Sequence, residues 1–169
     1  MGVSTEIASA SDVRAFIDEY FEAWSGTDQS LILSYYSENV SLELPGTVIS
    51  GKTALRDQFV RPFIAGFPGN RHVVKNMTFG KNVVVVEWSF EAAHKGPFIG
   101  TLATGMAVKL PGCGVYQFDP AKRQITAARI YFDVTTLLKQ ISSHRPQILQ
   151  NLLISWFASR SYPQTTTAA

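Results

Sequence analysis

The chain has a single cysteine, Cys113, so it forms no internal disulfide, and neither a CxxC pair nor a Cys/His cluster is present to hold zinc. A run of about 18 apolar residues, the length a helix needs to cross a bilayer, is missing. The opening "MGVSTEIASASDV" lacks a basic stretch followed by an apolar one, and Glu6 stands where a myristoylation signal has Ser or Thr. An excess of one charge is lacking as well. The 15 basic and 13 acidic residues are scattered, which argues against a nucleic-acid partner. GxGxxG, a P-loop and the GxSxG elbow are all absent, and "GKTALRD" lacks the leading glycine of a phosphate loop. These absences imply a soluble, cytoplasmic protein with no membrane partner, metal or cofactor.

What the chain does have is apolar content. Its 169 residues, 46% hydrophobic, suffice for one domain with a real core. From Ser11 and Asp12 onward, Val13, Phe16, Ile17, Tyr20, Phe21 and Trp24 recur at helical spacing and predict an amphipathic helix with an aromatic face. Asp28 caps a short second helix carrying Leu31, Ile32, Tyr35 and Tyr36. "ENVSLEL" reads as a strand closed by Pro45 and Gly46, and "GKTALRDQFVRPFIAGF" as a third helix that Pro62 interrupts or ends.

At Arg71 the period changes to two. "RHVVKNMTF" and "NVVVVEWSFEAAH" predict a hairpin across "GKN", with Val84, Val86, Trp88, Phe90, Ala92 and His94 on the core face. "TGMAVKL", "GVYQFD" and "ITAARIYFD" read as further strands. Strict alternation in the last puts Ile125, Ala127, Arg129, Tyr131 and Asp133 on one side. Helices followed by a mostly antiparallel sheet define an α+β domain over residues 11–141. Residues 1–10 read as a flexible start. Residues 142–160 read as an amphipathic helix with Ile148, Leu149, Leu152, Leu153, Trp156 and Phe157 on its stripe, and 161–169 as a flexible tail.

Three residues carry candidate acid/base chemistry. Asp133 follows a strand and precedes "VTTLLKQI", so it is either a helix cap or a carboxylate in an apolar cavity whose pKa is lifted toward neutrality. His94 ends an apolar strand face, where it is either a proton relay or a histidine held by a backbone carbonyl. His72 opens its strand beside Arg71, at the surface or in a site. Tyr131 and Arg129 share the Asp133 side as candidate substrate contacts, or else as strand-packing and outward groups. Trp88 and Phe90, with Tyr116, are candidate cavity walls; Tyr20, Trp24 and Tyr35 are core residues of which one or two reach the cavity. His72, His94 and Asp133 show no metal-ligand spacing.

The order of elements, with "AHKGPFIGTLATGMAVKL" and "GVYQFD…QITAARIYFDVTTLLKQI", resembles the SnoaL-like polyketide cyclases of the nuclear transport factor 2-like superfamily, over about residues 11 to 141. That resemblance implies a cone-shaped curved sheet around a pocket, a homodimer, and an aspartate at the position of Asp133 acting as acid/base without metal or cofactor. Arg129 stands where such proteins often have Trp. A second similarity, the histidine pair of the scytalone dehydratase branch, implies a lyase step with His72 and His94. The function expected is therefore cofactor-free acid/base chemistry on a small hydrophobic carbonyl or polyphenolic metabolite, by a cyclase or isomerase. The alternatives are a dehydratase-like lyase and a non-catalytic binding or dimerisation module.

Overall fold

A computed structural model describes residues 9–142. The expected helix over 142–160 and both expected flexible termini lie outside, or almost wholly outside, those residues. Among the described residues no helix is long and apolar enough to cross a membrane.

Helix α1 (Ala10–Ser25) begins two residues before the sequence signal. Ser9 is its N-cap: the Asp12 N–H donates to the Ser9 hydroxyl and the Ser9 N–H donates back to the Asp12 carboxylate, a reciprocal capping box. Val13, Phe16, Ile17, Tyr20, Phe21 and Trp24 are all buried, as their spacing predicts. Helix α2 (Gln29–Ser34) is capped by Asp28 and stops before Tyr36, which starts strand β1 (Tyr36–Leu44) instead of ending the helix. β1 turns through Pro45 and Gly46 into a short strand not read from the sequence, β2 (Thr47–Ser50).

The third helical stretch is unbroken in path but changes pitch. Helix α3 (Lys52–Leu55) runs into a π-helical turn (Arg56–Val60) and then α4 (Arg61–Gly66), with Pro62 in the first turn of α4. Pro62 has no N–H to give the carbonyl four residues back and its ring crowds that carbonyl, and the widened turn just before it relieves both problems without ending the helix.

Strands β3 (Arg71–Gly80), β4 (Val83–Ala93), β5 (Ala107–Asp119) and β6 (Gln124–Phe132) complete one six-stranded sheet in the order β2-β1-β6-β5-β4-β3. Only β1 and β6 pair parallel. "TGMAVKL" and "GVYQFD" are parts of the single strand β5, which continues through Pro111; the β5–β6 ladder begins at Gly112, so Pro111 stands just outside it. The β3–β4 turn places Asn82 at φ 55°, in the left-handed region that Asn tolerates. Helix α5 (Val134–Ile141) closes over β5, tied to it by two hydrogen bonds between Gln140 and the Lys109 backbone at 2.8 and 2.9 Å. The α+β class is as expected: a curved sheet with the N-terminal helices packed on its inner face.

Two strands carry single-residue bulges in their antiparallel ladders, and β1 also shifts register against β6 between Tyr36 and Ser41. In β3 the pairing runs Asn76 with Glu87 but Val74 with Trp88, which makes Lys75 a bulge. In β6 it runs Ile125 with Phe118 but Ala127 with Gln117, which makes Thr126 a bulge. Beyond each bulge every side chain changes face.

Candidate functional site

The inner face of the sheet and the aromatic face of α1 enclose a void of about 70 Å³. Its wall is mostly aromatic, with Leu42, Leu110, Ile130 and Leu137 filling the rest. Helix α1 contributes Tyr20, Phe21 and Trp24, the third helical stretch Phe59, Phe63 and Phe67, and the strands Tyr36, His72, Trp88, Phe90 and Tyr116. No Asp, Glu, Lys or Arg among the described residues lines it.

Glycine decides where the two large strand rings lie. A Cβ on Gly112 would come within 2.1 Å of the Trp88 ring, and one on Gly114 within 2.4 Å of the Tyr116 hydroxyl, so both rings occupy space that only glycine leaves open. Asn70, buried, donates through Nδ2 to the Trp24 carbonyl at 2.9 Å and the Phe67 carbonyl at 3.1 Å. One side chain thus fixes the end of α1 and the exit from α4, the segments that carry Trp24 and Phe67.

The polar atoms at this wall are few and neutral. The Tyr20 and Tyr36 hydroxyls lie 2.6 Å apart. Tyr20 is pushed up to about 12, first by burial, with the Tyr36 hydroxyl and neighbouring indole and phenol groups offsetting part of the shift. Tyr36 and Tyr116 are raised well above the ordinary tyrosine value, again mainly by burial. All three are therefore protonated donors at neutral pH. His72 is stacked on Phe21 (5.2 Å between centroids, 27°) and meets Trp88 edge-on at 5.3 Å and Phe90 at 5.2 Å. Burial lowers it from 6.5 to about 4, so its imidazole is neutral. His72 Nδ1 is enclosed with no hydrogen-bond partner, and the Trp24 and Trp88 N–H groups face the tyrosine hydroxyls without closing a full hydrogen bond to them. Buried polar atoms are normally satisfied, which sets the unpartnered His72 Nδ1 apart from the rest of the wall.

Of the expected site residues, His72, Trp88, Phe90, Tyr116, Tyr20 and Trp24 converge on this void. Tyr36 and His72's stacking partner Phe21 were missed as site residues. Asp133 is a correction: it is exposed and outside the wall. Its Oδ1 accepts from the Thr135 and Thr136 N–H groups at 2.8 and 3.2 Å, and its Oδ2 accepts from the Thr136 hydroxyl at 2.6 Å. Those bonds, the Thr136 hydroxyl first, hold its carboxyl below the usual value, opposite to the expected upward shift. It is the N-cap of α5.

Arg129 and Tyr131 share that outward side, Tyr131 being 52% exposed, because the Thr126 bulge turns Ala128, Ile130 and Phe132 inward. Tyr35 caps the end of α2, half-buried against Phe16 and Tyr20, outside the wall. His94 is fully buried but does not reach the void. Its Nδ1 and the Thr104 hydroxyl are 3.0 Å apart, its ring packs on Phe67 at 5.5 Å, and its backbone bonds Met106 and Gly105, so it fastens the loop between β4 and β5. Burial lowers its pKa also. Among the described residues no three His, Cys, Asp or Glu side chains cluster as a metal site.

The comparisons with known proteins agree with this architecture. A family model described as a SnoaL-like domain matches residues 17–127. No curated protein matches. Solved structures share the fold at low identity. A protein from Jannaschia sp. CCS1 named for the SnoaL-like polyketide cyclases is 20% identical with TM-score 0.68, covering 78% of this chain and 92% of its own. AclR from Streptomyces galilaeus, titled as a hydroxylase, is 20% identical with TM-score 0.68, covering 79% of this chain and 97% of its own. A protein from Catenulispora acidiphila with a ketosteroid isomerase-like fold, in complex with trimethylamine, is 13% identical with TM-score 0.62, covering 75% and 91%. With the family model spanning well over half of the sequence, and with a curved sheet closing on an aromatic hollow, the chain belongs to the SnoaL-like family.

Proposed function

We propose that the chain performs cofactor-free proton transfer on a small, planar metabolite bearing a carbonyl or phenolic oxygen, with His72 as the base. The single observation that carries this reading is His72 Nδ1, enclosed and unpartnered, on a neutral imidazole at the wall of the aromatic void. A ring-shaped ligand stacks on the aromatic wall, and its oxygen accepts from the neutral donors there, the tyrosine hydroxyls and the Trp24 and Trp88 N–H groups. His72 then takes a proton from the carbon next to the carbonyl, the C–H electron pair moves to the oxygen as an enolate, and those donors stabilise the charge. A carboxylate base of pKa about 4.6 serves this purpose in ketosteroid isomerase, so a base near 4 is workable where the oxygen is well held. The His72 imidazolium then returns the proton: to another carbon in an isomerisation, to a hydroxyl that leaves as water in a dehydration, or to the alkoxide formed when the enolate attacks a second carbonyl and closes a ring. The name polyketide cyclase among the fold relatives supports a carbonyl substrate. The reading includes a homodimer through the outer sheet face, where Tyr131 is exposed.

Proton exchange tests it without knowing the final product. A panel of small cyclic and aromatic ketones incubated in D2O should gain deuterium beside the carbonyl, read by mass spectrometry. His72→Gln should abolish the gain and Asp133→Asn should leave it. No enzyme-dependent exchange across the panel overturns catalysis.

One observation favours a second reading, a non-catalytic binding module: a void of about 70 Å³ is small beside ligand sites of about 300–1,000 Å³. Native mass spectrometry of the purified chain, showing a retained molecule that is recovered unchanged, supports that reading.

A further inference from the structure

Among the described residues, Phe98 is the one member of the void's wall that lies in neither a helix, a helix cap nor a named strand. It belongs to the loop between β4 and β5, and the base of that loop is fixed. The Lys95 and Gly96 N–H groups donate to the Gly66 carbonyl at 2.9 and 3.2 Å, and the backbone of His94 bonds those of Gly105 and Met106. A Cβ on Gly96 would lie 2.1 Å from the Ala65 carbonyl oxygen, so the base presses directly on α4. The tip is held differently. Phe98 and Thr101 exchange two backbone hydrogen bonds of 2.9 Å around a two-residue reversal, with Ile99 at φ 46° and Gly100 at φ 73°. Among the described residues, 97–103 make no other hydrogen bond. The tip is seated on the domain by the Phe98 ring, 4.8 Å from the Phe67 ring and 6.1 Å from that of Phe63. The seat exists because residue 66 is glycine: a Cβ there would come within 2.9 Å of the Phe98 Cβ and 3.3 Å of its ring.

A void of about 70 Å³ takes up a ring-shaped ligand only if its wall moves, since ligand sites span about 300–1,000 Å³. Moving a helix or a strand breaks the hydrogen bonds that define it, whereas lifting the tip breaks none and unpacks one ring. Resting on the void being the ligand site, as proposed above, we propose that Phe98 is its gate and sets the size of the molecule it admits. The tip lifts from Gly66 on the fixed base, and the ligand takes the place of the Phe98 ring against Phe63 and Phe67. A flat aromatic or alicyclic portion is favoured there.

Stopped-flow tryptophan fluorescence of the full chain tests the gate with acetophenone and the two-ring 2-acetylnaphthalene, because Trp24 and Trp88 line the void. In the parent the observed rate should level off as ligand rises, as it does when opening precedes binding. Phe98→Ala should remove the plateau and raise the affinity for 2-acetylnaphthalene relative to acetophenone at least about tenfold. Gly66→Ala leaves every wall residue in place but unseats the ring, and should raise the plateau rate. Leu102→Ser, on the same tip but exposed and outside the wall, should change neither rate nor preference. If the parent shows no plateau, or Phe98→Ala and Gly66→Ala leave rate and size preference unchanged, Phe98 is not the gate and the function proposed for the void stands. If neither ketone binds the parent or the variants, the void is not their site and both proposals fall.

Discussion

His72 stands directly across from Phe90 in the β3–β4 ladder, one residue out of the register that the turn at Lys81–Asn82 sets. Counted back from the Gly80–Val83 pair, His72 would face Glu91 on the wet side. The extra residue Lys75 moves it opposite Phe90 and into the aromatic hollow.

The half-buried His72, packed among aromatic rings, makes stability depend on pH. Its folded value, about 4, lies below the unfolded value of about 6.5, so the unfolded chain takes up the proton first as pH falls. The stability contribution is complete above about pH 6.5 and is lost progressively toward pH 4, by up to about 3 kcal/mol. Denaturant titrations at pH 7 and pH 5 should show this loss in the parent, and His72→Phe should flatten it. An equal acid loss in both would place the effect elsewhere. The same shift keeps the base unprotonated, so the acid limb of turnover should fall near pH 4 and not near 6.5.

Asp133→Asn should preserve the exchange activity, because the carboxylate caps α5 and faces water. Asn also keeps the side-chain oxygen that accepts from the Thr135 and Thr136 N–H groups, whereas Asp133→Ala removes it and should lower amide-exchange protection in α5 at those two residues. A loss of turnover with α5 intact would return Asp133 to the mechanism.

Tyr36→Phe removes the partner of the Tyr20 hydroxyl inside the wall. Leaving that group buried and unpaired should cost about 1–3 kcal/mol by denaturant unfolding. Activity should also fall, since one of the neutral donors is gone; unchanged stability would show that water replaces the lost hydroxyl.

Gly112→Ala places a methyl where the Trp88 ring lies, with 2.1 Å between the new Cβ and that ring. Displacing Trp88 should cost about 1–3 kcal/mol by overpacking and shift the tryptophan emission. An alanine at Gly69, where a Cβ meets nothing within 4 Å, distinguishes crowding from the backbone strain that its φ of 68° adds. Only the Gly112 change should disturb the tryptophan signal.

The element types were legible because their causes are local. Helix α1 followed from apolar residues at 3.6-residue spacing, and the β3–β4 hairpin from alternation on both sides of "GKN". The face carrying Val84, Val86, Trp88 and Phe90 followed from alternation in a strand without a bulge. Tyr36 was misplaced because the boundary between α2 and β1 is set by parallel pairing with Ile125, far along the chain. Asp133 was ambiguous because one residue type suits both a cap and an acid.

The sequence by itself determined the class of the domain, the aromatic wealth of its core and the family to which it belongs, since periodicity and residue order are written along the chain. Only the tertiary structure decided that Asp133 faces water and that His72, not His94, reaches the aromatic void. Each decision turns on one unpaired residue: the bulge at Lys75 rotates His72 in, and the bulge at Thr126 sets Ile130 and Phe132 in and Asp133 out. A bulge costs a ladder pair locally and is repaid by how the sheet curves and packs against α1, a balance spread over many distant contacts and therefore invisible in any short stretch of sequence.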